Sequence, residues 1–212
     1  MIINISRLII LLTIIIVMAV SCNYNNSDTS NEESQLQSDQ AVDTTPPEYI
    51  GRSVISKKNE LVFIYVTSPG CSFCTSYENI RVINTLKNNL SQVADSIDYG
   101  FLTMSLVITW DVNEGFEHIN EFNTFDELLI GNNWFGTGGI KYLFEDMPGT
   151  PGVPQVIITK RTYDAIEDES GLAQNIQGIE NEKVLTRTIG ANRLSDWLKE
   201  GNNIRGLSVN LD

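Results

Sequence analysis

The chain has 212 residues, 42% hydrophobic and 19% charged, an ordinary globular composition with enough length for one domain and its core. Its 14 Lys and Arg face 27 Asp and Glu for a formal charge of -13, and no basic cluster is present to neutralise phosphates, which excludes nucleic acid as a partner. With three cysteines and one histidine, a closed four-ligand zinc site would consume all of them, so no metal or other cofactor is expected.

The first residues form a unit of their own. Arg7 supplies a positive charge, and Leu8 to Val20 is apolar except for Thr13. That run is shorter than the roughly 20 residues a membrane span needs, and it fits the apolar part of an export signal. It ends in Met18-Ala19-Val20-Ser21-Cys22, which resembles the lipobox of bacterial lipoproteins. The resemblance implies cleavage after residue 21 and diacylation of Cys22, which becomes the new first residue and a membrane anchor. Asn23, rather than Asp, follows the cysteine, which favours the outer membrane, or the periplasmic face of the envelope, as the address. Residues 22–47 are polar and their charges are all negative: Asp28, Glu32, Glu33, Asp39 and Asp43. Such a segment buries too little apolar surface to offset its ordering entropy and reads as a flexible tether. The folded domain is expected over residues 48–212.

Leu61-Val62-Phe63-Ile64-Tyr65-Val66 is a continuous apolar run of β-branched and aromatic residues, the pattern of a strand buried on both faces. It stops at Ser68-Pro69-Gly70. Phe73, Tyr77, Ile80, Ile83, Leu86 and Leu90 then recur at spacings of three and four and predict an amphipathic helix beginning near the cysteines. A second strand is expected from Phe101 to Ile108. Residues 111–147 read as a mainly helical insertion, with a possible capping box at Thr124 and Glu127 and a glycine-rich turn, Gly136 to Gly139, ahead of a short helix at Ile140, Leu143 and Phe144. The glycine turn lacks the spacing and the terminal Ser or Thr of a phosphate-binding loop. A third strand at Gln155–Thr159, a fourth at Lys183–Ile189 and a closing helix carrying Leu194, Trp197 and Leu198 complete an α/β chain.

Cys71-Ser72-Phe73-Cys74 falls where the first strand hands over to the helix. If Cys71 sits at the helix N-terminus, the unpaired N–H groups there favour its thiolate; a fall in pKa from about 8.5 to about 6.5 raises the thiolate fraction at pH 7 from about 3% to about 75%. Cys71 is then the nucleophile, and Cys74, three residues on, the thiol that resolves a mixed disulfide. Two plainer readings stand beside this one, a structural disulfide and half a metal site. The second needs two more ligands, and besides Cys22 only His118 remains.

The strand, the C-x-x-C motif and the later Gly152-Val153-Pro154-Gln155 leading into a strand resemble the thioredoxin fold. The resemblance implies a thioredoxin-like α/β domain with the helical insertion placed before the cis-proline strand, 80 positions separating Cys74 from Pro154. It implies that Cys71 is the nucleophile, Cys74 the resolving thiol, Pro154 a cis-proline, and the backbone of Val153 a pairing edge for an extended substrate segment. The partners implied are cysteine-containing exported proteins, a redox partner protein and the membrane through the lipid. Where several family members carry a buried carboxylate, six residues before the nucleophile, this chain has Tyr65, expected as a core aromatic rather than a proton relay. His118 is expected to be solvated or at the edge of the core rather than catalytic. Phe135, Tyr142 and Phe144 are candidates to cover a groove for an unfolded polypeptide, with the neighbouring glycines permitting movement; the competing reading is that these aromatics only complete the core. The alternative from another class is a redox-inert thioredoxin-fold binding module whose Cys71–Cys74 disulfide only stabilises the turn.

Overall fold

The computed structural model describes residues 57–204 and residue 207. Cys22, the export signal and the tether all lie outside the described residues. Within them, five strands form a single sheet in the order β3-β2-β1-β4-β5. β1 (Asn59–Thr67) lies at its centre, parallel to β2 (Gly100–Val107) and antiparallel to β4 (Gln155–Glu167). β3 (Glu127–Ile130) adds a parallel edge to β2, and β5 (Ala173–Ile189) an antiparallel edge to β4. This is the thioredoxin-like arrangement: parallel strands joined by a helix, then an antiparallel hairpin and a closing helix.

The unbroken apolar run of β1 has a simple cause. Side chains alternate across a strand, and both faces of β1 are covered. Leu61, Phe63 and Tyr65 join a cluster with Val82, Ile83, Leu86 and Leu90 of helix α1 (Tyr77–Ser96) and Leu194 of the closing helix α3 (Ala191–Lys199). Val62, Ile64 and Val66 join the other cluster, with Leu102, Met104, Tyr142, Leu143 and Met147. Each of these buried aliphatic or aromatic side chains removes enough apolar surface from water to contribute about 1.5–3 kcal/mol, so burial on both faces holds the sheet centre firmly.

The insertion departs from the sequence reading in one element. It opens with helix α2 (Val112–Ile119), capped by the Asp111 side chain, which accepts from Asn113 and Glu114 N–H. Thr124 and Glu127 do not cap a helix; Glu127 starts strand β3 instead. The Asp126 carboxylate accepts from the Thr103 amide at 2.7 Å and the Thr103 hydroxyl at 2.8 Å, fastening the segment beside β2. Beyond it Leu129 packs on one core cluster and Ile130 on the other, the two-residue alternation of a strand. A 3-10 turn (Asn133–Phe135), a helical turn (Thr137–Gly139) and a π-helical turn (Ile140–Phe144) follow. The glycines here serve close packing: a Cβ on Gly138 would stand 2.7 Å from Leu129 Cδ1 and 2.8 Å from Leu106 Cδ1. The last two strands are far longer than the apolar runs at 155–159 and 183–189, because β4 and β5 continue together as a ribbon past the end of β1.

Candidate functional site

The registers bring three chain ends to one edge of the sheet. Thr67 pairs with Val107, Val107 with Ile130, and Val66 with Gln155. The loop after β1 carries the cysteines, and the segment before Gln155 carries Val153 and Pro154, so the two motifs found in the sequence lie at the same edge. Cys71 and Cys74 are joined as a disulfide with a Cα–Cα distance of 5.2 Å. The Val153–Pro154 peptide bond is cis; Pro154 is buried and Val153 half-buried. The two sulfurs sit in different surroundings: Cys71 is partly exposed, whereas Cys74 is wholly buried. An incoming thiolate therefore meets Cys71 first.

The cysteines do not belong to the helix. Cys71 O accepts from Cys74 N at 2.9 Å and from Thr75 N at 3.3 Å, closing one isolated turn. Two hydroxyls then compete with the main chain, Thr75 Oγ1 donating to Ser72 O at 3.3 Å and Ser76 Oγ to Phe73 O at 3.0 Å. Ser76 is extended (φ -68, ψ 138) and serves as the N-cap of α1, its Oγ accepting from Asn79 N–H at 3.3 Å. The helix thus begins at Tyr77, so the full helix terminus does not point at Cys71 as the sequence suggested. What Cys71 has is a single main-chain donor, Cys74 N–H, 3.2 Å from its sulfur. Phe73, ahead of the helix, and Tyr77, its first residue, do not lie on its buried face; they are 70% and 82% exposed.

Beneath the cysteine turn runs a buried polar chain that the sequence did not disclose. Asn79, on the first turn of α1, donates through Nδ2 to the carbonyl of Cys74 at 3.1 Å and to the Tyr65 phenol at 2.8 Å. Burial pushes the Tyr65 phenol up to about 12, against hydrogen bonds from Thr67 and Asn79 that pull it down. Thr67 Oγ1 is in turn hydrogen-bonded to His118 Nε2 at 2.7 Å. His118 is buried on α2, edge-on to Phe122, and burial lowers its pKa while the Glu121 and Glu114 carboxylates oppose the shift. Tyr65 is therefore a core aromatic, wholly buried, and its hydroxyl is tied to the main chain of Cys74 through one amide. The only sequence clue to this chain was the unusual residue six positions before Cys71; nothing in the spacing of Asn79 or His118 marks them.

Of the residues expected to cover a groove, Phe135 and Phe144 are exposed, but Tyr142 is in the core, 2% exposed, its hydroxyl accepting from Arg161 Nη2 at 3.1 Å. Phe73 and Trp110 join Phe135 among the exposed aromatics on the loops at this edge. Trp110 follows the end of β2, where Ile108 N–H donates to Thr67 O at 2.8 Å, and Phe135 follows Asn133, whose N–H donates to Thr109 O at 2.9 Å. Phe73, Trp110 and Phe135 are 70%, 69% and 70% exposed. Among the described residues no group of three or more His, Cys, Asp or Glu side chains is placed to hold a metal, and no helix is long and apolar enough to cross a membrane.

No protein-family model matches the chain, and no curated protein is found similar to it. Solved structures similar to it include the thioredoxin domain of a thiol-disulfide oxidoreductase from Bacteroides vulgatus, at 15% identity over 69% of this chain and 81% of that one, with a TM-score of 0.31. A thiol:disulfide interchange protein from Bacteroides sp. is 16% identical over 69% of this chain and 76% of that one, with a TM-score of 0.34. A secreted disulfide oxidoreductase from Mycobacterium tuberculosis is 14% identical over 66% of this chain and 81% of that one, with a TM-score of 0.27. At such identities and scores the chemistry of this chain has to be read from its own residues, on a thioredoxin-like fold that carries a C-x-x-C disulfide.

Proposed function

We propose that the chain is a thiol–disulfide oxidoreductase working outside the cytoplasm on cysteine-containing exported proteins, with Cys71 as nucleophile, Cys74 as resolving thiol, and a lipid on Cys22 holding the domain at a membrane. The observation that carries the reading is the asymmetry of the disulfide: a partly exposed Cys71 with a main-chain donor at its sulfur, joined to a Cys74 that solvent does not reach. In the oxidising direction a substrate thiolate attacks Cys71 Sγ; the Cys71–Cys74 bond breaks, and Cys74 leaves with the electron pair. A second substrate thiolate attacks the substrate sulfur of this mixed disulfide and releases Cys71 as thiolate. The substrate has then lost two electrons and gained a disulfide, and the pair is reduced until a redox partner protein reoxidises it. Reduction of a substrate disulfide is the same sequence reversed, the direction being set by the potential of the partner.

Val153, beside Pro154, offers its backbone to an extended substrate segment at this edge, and the exposed Phe73, Trp110 and Phe135 suit the apolar side chains of an unfolded one. Trapping tests the reading. In a Cys74→Ala variant, Cys71 should accumulate mixed disulfides with exported proteins, released by reductant and absent when Cys71 is also replaced by Ser. An empty trapped set, together with a Cys71–Cys74 pair that resists reduction and alkylation in the folded wild type, would leave only a structural disulfide. For the anchor, Cys22→Ala should move the protein out of the membrane fraction and block processing of the precursor; unchanged fractionation refutes lipidation.

A further inference from the structure

We infer that Arg187 and Gln155 are positioning residues for the Val153–Pro154 segment, acting through the main chain that precedes it; the inference rests on the function proposed above. Residues 145–154 join the π-helical turn to β4 without regular structure of their own, so their carbonyls need partners from elsewhere. Gln155, the first residue of β4, is completely buried and donates through Nε2 to Thr150 O and Gly152 O, both at 3.2 Å. Its Oε1 accepts from Arg187 Nη1 at 3.4 Å. Arg187, opposite Ile157 on β5, donates through Nη2 to Tyr142 O at 2.8 Å and to Met147 O. One amide and one guanidinium thus hold carbonyls at 142, 147, 150 and 152, and the last of these is the residue before Val153.

The main chain is shaped around the guanidinium. A Cβ on Gly149 would stand 2.7 Å from Arg187 Nη1, 2.8 Å from Cζ and 3.0 Å from Nε, so the flat group lies against a residue that has no side chain. Met147 N–H and Gly149 N–H donate back to Lys141 O and Leu143 O, each at 3.0 Å, which folds the loop onto the end of the insertion. The hydrogen bonds of Arg187 go to main-chain and amide oxygens rather than to a carboxylate. Holding these oxygens at once takes a planar fork of donors, which a lysine ammonium does not supply. The cysteines lie on a different connection, so loosening this clamp should disturb how a polypeptide is presented to Cys71 and leave the reactivity of the disulfide itself largely alone.

The test compares two probes on the full-length chain: a disulfide-bonded extended peptide as substrate, and dithiothreitol as a small thiol reacting with Cys71–Cys74. Arg187→Lys and Gly149→Ala should each raise KM for the peptide by about tenfold or more, because a loosened segment spends about a tenth of its time or less in the geometry that pairs with the peptide, while kcat and the dithiothreitol rate change by less than about twofold. Hydrogen exchange should rise at the amides of Met147, Gly149, Thr150, Gly152 and Val153 in both variants. An unchanged peptide KM in either variant with a native near-ultraviolet spectrum, or equal losses with both probes, overturns the inference. Failure of the wild type to exchange with either probe would remove the activity itself, and the positioning role with it.

Discussion

Asn79 is the joint between the cysteine turn and the core, and replacing it by Ala makes the sharpest test of the buried chain. The side chain is 3% exposed and its Nδ2 serves two acceptors, the Cys74 carbonyl and the Tyr65 phenol, both in residues with no solvent exposure. A buried acceptor deprived of its donor costs about 1–3 kcal/mol; two of them, partly relieved by rotation of the phenol and offset by removal of the buried Asn79 Oδ1, which has no partner, give about 1–3 kcal/mol for Asn79→Ala. Tyr65→Phe removes one acceptor and leaves the Asn79 bond to Cys74 in place, so it should cost about 1 kcal/mol. Because the two residues touch, the double variant should fall short of the sum by about 1 kcal/mol. The reduced protein should suffer more than the oxidised one: the disulfide restrains Cys74 covalently, and after reduction the Asn79 bond is what remains. A difference of about 1 kcal/mol between the two states corresponds to a potential lower by about 20 mV. Urea unfolding of oxidised and reduced forms gives the stabilities, and equilibration against glutathione gives the potential. If Asn79→Ala costs less than about 0.5 kcal/mol in both states, or if the two substitutions add fully, the chain from Tyr65 to Cys74 is not a coupled unit.

Two other predictions concern the insertion. His118 has its pKa lowered from 6.5 by burial, so the unfolded chain takes up the proton first on acidification; stability should be level above about pH 7 and fall as the pH drops from about 6.5, by at most about 1.4 kcal/mol per pH unit. His118→Gln should flatten that part of the urea-stability profile, and an unaltered slope would mean that another group titrates. Gly138→Ala gains up to about 1 kcal/mol in helix propensity, but its Cβ meets Leu129 and Leu106 at 2.7 and 2.8 Å, and overpacking costs about 1–3 kcal/mol. The net should be destabilising, with a rise in melting temperature as the contrary result.

The strands at the sheet centre were legible because burial on both faces leaves a continuous apolar signature, as at Leu61–Val66. The C-x-x-C and the Val-Pro step were legible as motifs, and the topology brings them to one edge. The start of α1 was not, since the periodicity of Phe73 and Tyr77 pointed to a helix that the hydroxyls of Thr75 and Ser76 divert. β3 was missed because it is only four residues long and is fastened by a side chain from outside it, Asp126. The ribbon between residues 160 and 182 was missed because its β5 half is largely exposed and the buried face of its β4 half is made by Arg161, Tyr163 and Ala165, an alternation in which one position is charged and which is too short to read as apolar. Gln155 and Arg187 are ordinary polar residues in sequence; only the tertiary fold shows that their partners are carbonyls of a distant loop.

In the exchange proposed above, Tyr65 bears on how protons move. A carboxylate in its place would titrate within the range where thiols ionise and would be able to take the proton from Cys74 as that thiol attacks a mixed disulfide. A phenol pushed up to about 12 stays protonated throughout that range, so it orients its neighbours and accepts nothing from the thiol. The next group along, His118, is reached only through Thr67. The rate of peptide disulfide reduction should therefore rise with pH through the ionisation of Cys71 and show no inflection traceable to residue 65 below about pH 10, where an unperturbed phenol begins to titrate. Tyr65→Phe should lower the stability and leave the shape of the pH–rate profile as it was. A second inflection in the wild type that vanishes in the Phe variant would make Tyr65 a proton carrier and refute its assignment to orientation alone.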